Sequence, residues 1–171
     1  MRPHLRYLIY ILRHKWYVFV QCCKLGIPWL GVIHDLSKFT PREWGAYARS
    51  YYAPDGTPRY AWTPEAEMAR FYHQRRNKHH WQWWLYLGDT PADPVSIPVP
   101  MPDRYRRELL ADWRGAARAL GQTEAQLAAW YVENRACIRL HPDTRAWLER
   151  EFGVESAGDS SPRLRRTSPP G

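Results

Sequence analysis

Residues 4–24, HLRYLIYILRHKWYVFVQCCK, decide the fold class. At about 100° per residue, Leu5, Leu8, Ile9, Leu12, Trp16, Phe19, Val20 and Cys23 form one apolar stripe. Tyr7, Tyr10, Ile11, His14, Tyr17 and Val18 gather on the opposite side. The stretch shows no sustained alternation, so it reads as helix and not as strand. A helix apolar on two sides is expected to run through the centre of an all-α domain. Arg13, Lys15 and Lys24 cut its apolar runs well below the roughly 18 residues that a membrane span needs. No small-residue cleavage site follows a clean apolar core, which argues against a signal peptide.

Outward from this helix, Pro28 opens a second segment that is expected to reach Leu36. Thr40-Pro41-Arg42-Glu43 reads as a capping box with proline at the first helical position, starting a third helix toward Tyr51. Residues 53–62, with Asp55-Gly56 and two prolines, read as a loop. Thr63-Pro64-Glu65 opens a fourth helix expected to reach Tyr86, with acids in its first turn as the helix dipole favours. Five prolines between Gly88 and Pro102 predict an irregular connection, a candidate lid. A fifth helix over 103–120 stops at Gly121. Thr123-Glu124-Ala125-Gln126 is a second capping box, opening a helix toward Ile138, and a short last helix after His141-Pro142-Asp143 ends at Gly153. The expectation is one all-α domain of about six to seven helices over 1–153. Residues 154–171, VESAGDSSPRLRRTSPPG, are basic, rich in Pro and Ser and nearly devoid of apolar side chains, and predict a disordered tail.

The chain of 171 residues carries 25 Lys and Arg against 17 acids, and its first fifty residues alone hold eight against two. Such a basic third suits phosphate or nucleic acid, and it equally suits a solvated helix face. Hydrophobic residues at 44 % exclude a largely disordered chain. Ten Trp and eleven Tyr are enough to fill a core and leave rings for stacking. Three cysteines, two of them adjacent, make neither a disulfide framework nor a CxxC knuckle, so a reducing, cytoplasmic setting is expected. A domain of this size buries enough surface to fold without a structural metal, which leaves any metal free to be functional.

The histidines point to such a metal. On a continuous fourth helix, Asn77 lies about 40° from His73 and His80 about 20° on the other side, whereas His79 lies about 240° away. His73 and His80 thus reach one interior site, and a pair of core or surface histidines is the plain alternative. Asp112 sits on the face of the fifth helix that carries Tyr105, Leu109, Ala116 and Ala119, so a carboxylate enters the core and needs a metal or a cation such as Arg75 or Arg76. His14, among tyrosines, is either a ligand or a histidine bonded to a tyrosine hydroxyl.

Taken in order, His14, His34-Asp35, His73, His80 and Asp112 resemble the ligand series of the HD superfamily of metal-dependent phosphohydrolases. His34-Asp35-Leu36-Ser37-Lys38 resembles its HD-x-G-K signature, with Ser37 where glycine is frequent. The stretches HLRYLIYILRHKW, GIPWLGVIHDLSKF, RNKHHWQWW and MPDRYRRELLADW are also similar to an uncharacterised family found in bacteria and phages, a similarity that covers most of residues 4–153 and implies no activity.

The first resemblance implies His14, His34, Asp35, His73, His80 and Asp112 as metal ligands, with Asp35 bridging one or two divalent ions. Imidazoles with two carboxylates suit Mn, Fe, Co, Ni or Zn better than Mg or Ca. It implies a small phosphorylated substrate such as a nucleotide, with Asp35, Lys38 and Glu43 in catalysis and Arg75, Arg76, Asn77 and Lys78 holding phosphate. Glu43 is equally explained by its place in the capping box, and Trp81, Trp83, Trp84 and Tyr105 by the core. An HD-type di-iron oxygenase and a basic nucleic-acid or partner-binding protein are the competing expectations, with no membrane involved in any of them.

Overall fold

The computed structural model describes residues 3–91 and 93–155. Seven α-helices account for most of them: α1 (Pro3–Lys24), α2 (Pro28–Ile33), α3 (Pro41–Tyr51), α4 (Pro64–Arg76), α5 (Asp103–Ala119), α6 (Glu124–Asn134) and α7 (Pro142–Phe152). Short 3-10 turns cover Leu36–Phe39 and Trp81–Trp84. The fold is mostly helical, as expected. Within the predicted irregular stretch, β1 (Leu85–Leu87) and β2 (Ser96–Pro98) pair antiparallel, with Tyr86 opposite Ile97. No helix among the described residues is long and apolar enough to cross a membrane. All of the expected tail except Val154 and Glu155 lies outside the described residues, and Val154 packs against the core formed by α5 and α7.

α1 packs against α2, α3 and above all α5. Two glycines set those distances. A Cβ on Gly31 of α2 would stand 2.8 Å from Cys22 Cβ and 2.9 Å from Phe19 Cα, and one on Gly115 of α5 would stand 2.4 Å from Val18 Cγ2. Only residues without side chains allow this approach, which draws both neighbours onto the same stretch of α1. The expectation of a central α1 is corrected: Tyr7, Ile11, His14, Val18 and Cys22 are buried, whereas Leu5, Ile9, Leu12 and Trp16 remain exposed. Partners cover the helix from one side only.

One apolar cluster joins Leu109 and Leu110 of α5 to Tyr131 of α6 and Leu148 of α7, and the half-buried rings of Trp81, Trp84 and Tyr105 pack against it. A second cluster joins Tyr7 and Ile11 of α1 to Tyr47 of α3 and Ala69 of α4. Five of the seven histidines, His14, His34, His73, His79 and His80, come together where α1, α5, the end of α2 and the end of α4 meet.

Candidate metal centre

Backbone geometry turns two adjacent side chains into one site. The second helix was expected to reach Leu36, but α2 ends at Ile33 because His34 is extended and Asp35 takes the left-handed conformation at φ 55°. That conformation is costly for a residue with a Cβ. Here it buries both side chains, His34 and Asp35 each being 1 % exposed.

The fourth helix also stops early, at Arg76 and not at Tyr86. Asn77 is extended, its side-chain amide donates to the His73 carbonyl at 2.9 Å, and the His80 amide donates to the Asn77 carbonyl at 3.2 Å. This turn reverses the expectation for His79. The helical phase that excluded it applies to a helix that no longer exists there, and His79 enters the site beside His80, with ring centroids 4.2 Å apart.

Of the three groups of possible donors among the described residues, two share Asp35, and the third joins Glu108 to His34 and His79. His14, His34, Asp35 and Asp112 form the first, and Asp35, His73, His79 and His80 the second, with the ligand atoms of each group within 4.8 Å of one another. Each Asp35 oxygen serves one group. Oδ2 lies 3.8 Å from His14 Nε2 and 3.4 Å from His34 Nε2, while Oδ1 lies 3.2 Å from His73 Nε2 and 3.4 Å from His79 Nε2. Asp112 Oδ1 completes the first group, 3.1 Å from His14 Nε2 and 3.3 Å from His34 Nε2. It faces histidines and no arginine, and His14 stacks on Tyr10 instead of bonding to its hydroxyl. Asp35 Oδ1 and the Nε2 atoms of His14, His34, His73, His79 and His80 are buried without a hydrogen-bond partner, and Asp35 Oδ2 meets only the ammonium of Lys38. Buried polar atoms in such numbers are rarely left without partners in folded proteins, and their convergence fits divalent cations.

Behind the inward-facing nitrogens stand two carboxylates that fix them. Glu108 Oε1 lies 3.1 Å from His34 Nδ1 and 3.3 Å from His79 Nδ1. Glu43 Oε2 lies 2.8 Å from His73 Nδ1. A ring that donates from Nδ1 to a carboxylate presents its Nε2 lone pair to a metal, which is the usual outer support of histidine ligands. Ser37 donates to Glu43 at 3.1 Å and accepts from Asn77 at 2.9 Å, which gives the serine of the His-Asp string a role of its own.

Burial disfavours charge on every acid here, yet several stay ionised because cations surround them. Against that burial, His34, Lys38 and His73 hold Asp35 well below the usual carboxylate range. The imidazoles of His14 and His34 beside it do the same for Asp112, and those of His34 and His79 lower Glu108. Burial lowers His14 despite Asp112, and burial together with His79 and His73 puts His80 well below its ordinary value, so both rest as neutral imidazoles. Although burial opposes it, Asp35 and the other acids raise His34 well above the ordinary value, and Asp35 raises His73. Lys38, its ammonium on Asp35 Oδ2, is raised well above the usual lysine value by that carboxylate in spite of burial.

Six predicted ligands thus meet at one place, with His79 added. Lys38 is in contact with the cluster. Glu43 is not placed for acid–base catalysis: its two oxygens are taken by His73, Ser37 and, at 3.2 Å, Arg76. The capping box does not form either, because the Thr40 hydroxyl donates to the Ser37 carbonyl. Arg75 and Lys78 are exposed and lie over rings, Arg75 over Phe71 and Lys78 over Trp83 and Tyr105. Asn77 is spent on the turn and on Ser37. Of the four residues expected to hold phosphate, only Arg76 and Asn77 reach side chains that support the cluster. Glu108, missed in the sequence, precedes Asp112 by four residues and shares its helix face, a spacing that would have identified it.

No curated protein and no solved structure matches the chain. Over residues 4–153, which include every ligand named above, it matches the group described as "Family of unknown function (DUF5662)", and the chain belongs to that family.

Proposed function

We propose that the chain is a metal-dependent phosphohydrolase acting on a nucleotide or another small phosphoester through a centre of two divalent ions. The sharing of Asp35, one oxygen to each donor group, carries this reading. The likeness of His14, His34-Asp35, His73 and Asp112 to the HD ligand order supports it. His79 joins His80 in the second group.

Two divalent ions bound there would act as Lewis acids on a phosphoryl oxygen and supply hydroxide near neutral pH. The chain does the rest. Two aspartates offset only half the charge of two such ions, so the centre stays cationic and attracts phosphate. Glu43 and Glu108 hold the imidazoles in the ligating tautomer. Lys38 keeps its proton and stands at Asp35 Oδ2, from where it would donate to a phosphoryl oxygen and support the charge that builds up there.

The test is metal analysis of the purified protein followed by hydrolysis of a panel of nucleotides and model phosphoesters with Mn, Fe, Co, Ni or Zn, in air and without oxygen. The expected result is metal in the protein and oxygen-independent release of phosphate or a phosphate ester, reduced by orders of magnitude in Asp35→Asn. A metal-loaded protein that hydrolyses nothing on the panel, or an Asp35→Asn variant with full activity, overturns the reading. Oxygen consumption by an iron-loaded protein would assign the centre to oxygenase chemistry instead.

A further inference from the structure

The outer stripe of α1 from Leu5 to Trp16 has no partner among the described residues. Leu5, Ile9, Leu12 and Trp16 follow at intervals of four, three and four residues, up to Phe19, where α2 closes over the helix. Leu5, Ile9 and Trp16 are 47 %, 51 % and 62 % exposed. Beside the stripe, α2 leaves Trp29, at 69 %, and Val32 and Ile33 exposed, and Leu36 follows in the next turn. Taking roughly 150–250 Å² for a whole large side chain, these fractions leave on the order of 800 Å² of apolar surface. The largest patch on an ordinary monomer is about 300–600 Å², and each partner in a standard protein interface contributes about 800 Å².

We infer that this face is the contact between two copies of the chain, with the α1 helices packed against each other across a two-fold axis. Alternating steps of four and three are the seam that two helices interdigitate, and a stripe repeated along one straight helix is complementary to itself. The charges lie outside the seam. Arg6, Arg13 and Lys24 stand about 90° from its centre, where long side chains reach solvent at a rim. Lys15 is turned beneath α2, where its ammonium donates to the Val32 and His34 carbonyls. No acid occurs among the first 34 residues, so the cations of the two rims repel one another. Salt therefore tightens the contact, whereas it would loosen attachment of the same face to an anionic lipid surface.

The experiment is sedimentation of the full chain over a range of concentrations at low and high salt. It is run on wild type, on Ile9→Glu, on the milder Trp16→Ala, and on Val95→Glu as an exposed control elsewhere, with helicity followed by circular dichroism. The expected result is a dimer that high salt strengthens. It should weaken more than about a hundredfold in Ile9→Glu, which buries a charge at the seam, less in Trp16→Ala, and not at all in Val95→Glu. A wild type that stays monomeric near 100 µM, the range of weak association, or a dimer indifferent to both α1 variants, overturns the inference. So does a monomer that floats with phosphatidylserine vesicles at low salt and loses them on Trp16→Ala, which would give the face to lipid. None of these readouts depends on metal or on hydrolysis, so the phosphohydrolase reading stands or falls separately.

Discussion

Glu43 has no exposed surface, and its Oε2 lies 2.8 Å from Nδ1 of His73. A carboxylate this deep is stable only because it is bonded, and what it bonds is the back of a histidine whose front points at Asp35. Glu108 stands in the same relation to His34 and His79. The two glutamates differ in reach: Glu108 backs one ring in each donor group, Glu43 a ring in the second only.

That difference predicts unequal effects. Glu43→Gln and Glu108→Gln keep the size of the side chain and remove its charge, and each should weaken metal affinity by about 10–100-fold, the usual cost of losing an outer-shell partner. Chelator competition with a two-site fit should show one affinity falling in Glu43→Gln and both in Glu108→Gln. Two wild-type affinities in Glu108→Gln would remove it from the support of the centre.

The turn at Asn77 predicts that His79→Ala and His80→Ala each deplete the second group. Metal per chain, measured by elemental analysis, should fall in both variants to about the same level. His4→Ala, which alters an exposed ring held by the Trp44 indole, should leave the content unchanged. A full complement in either His79→Ala or His80→Ala would strike that histidine from the ligand set.

Local signals in the sequence identified the helices well where the signal was itself local. The Thr123 and Gln126 capping box forms as read, Thr63 caps α4, and Gly121 and Gly153 take positive φ at the stops they were expected to make. Phase arguments failed where they assumed that a helix continues. Asn77 turns its side chain back onto the His73 carbonyl and ends α4, so helical phase does not extend beyond it. β1 and β2, three residues each, were too short to show a period of two. Glu108 shares the helix face of Asp112 one turn away, but what it supports, His34 and His79, approaches it from distant parts of the chain. The burial of one α1 face and the exposure of the other were not legible in a stripe pattern apolar on both.

Thiol chemistry offers a check on the packing of α1 that is independent of the centre. Cys22 is fully buried, and burial, with Glu108 and Asp112 nearby, pushes its thiol up to about 12, so the reactive thiolate is absent at neutral pH. Cys137 is exposed. At pH 7 a maleimide should modify Cys137 within minutes and leave Cys22 intact until denaturant is added, as read by peptide mass spectrometry. Native modification of Cys22 at a comparable rate would show that α1 and α5 do not stay closed over it.

The approach of α5 to α1 at Gly115 is the most exacting feature of the fold, because what a methyl group there would meet is largely backbone. Its Cβ would stand 2.4 Å from Val18 Cγ2, 2.9 Å from Val18 N and 3.0 Å from Val18 Cα. Alanine favours a helix over glycine by up to about 1 kcal/mol, but overpacking costs about 1–3 kcal/mol, and a clash with main chain belongs at the upper end. Gly115→Ala should therefore lose on balance about 1–2 kcal/mol, a fall in Tm of roughly 2–8 °C for a chain of this size. The displacement also has a direction. Asp112 lies three residues before Gly115, so pushing α5 outward draws its carboxylate from His14 and His34, while His73, His79 and His80 are held by α4 and the turn after it. Metal affinity should accordingly drop more at the first donor group than at the second, where only the Glu108 support of His79 moves with α5. Adding Val18→Ala removes the Cγ2 contact but not those to the main chain, so it should restore only part of the loss in that affinity. A Gly115→Ala protein with wild-type Tm and both affinities intact would mean that the two helices do not meet as closely as the geometry of Val18 and Gly115 requires.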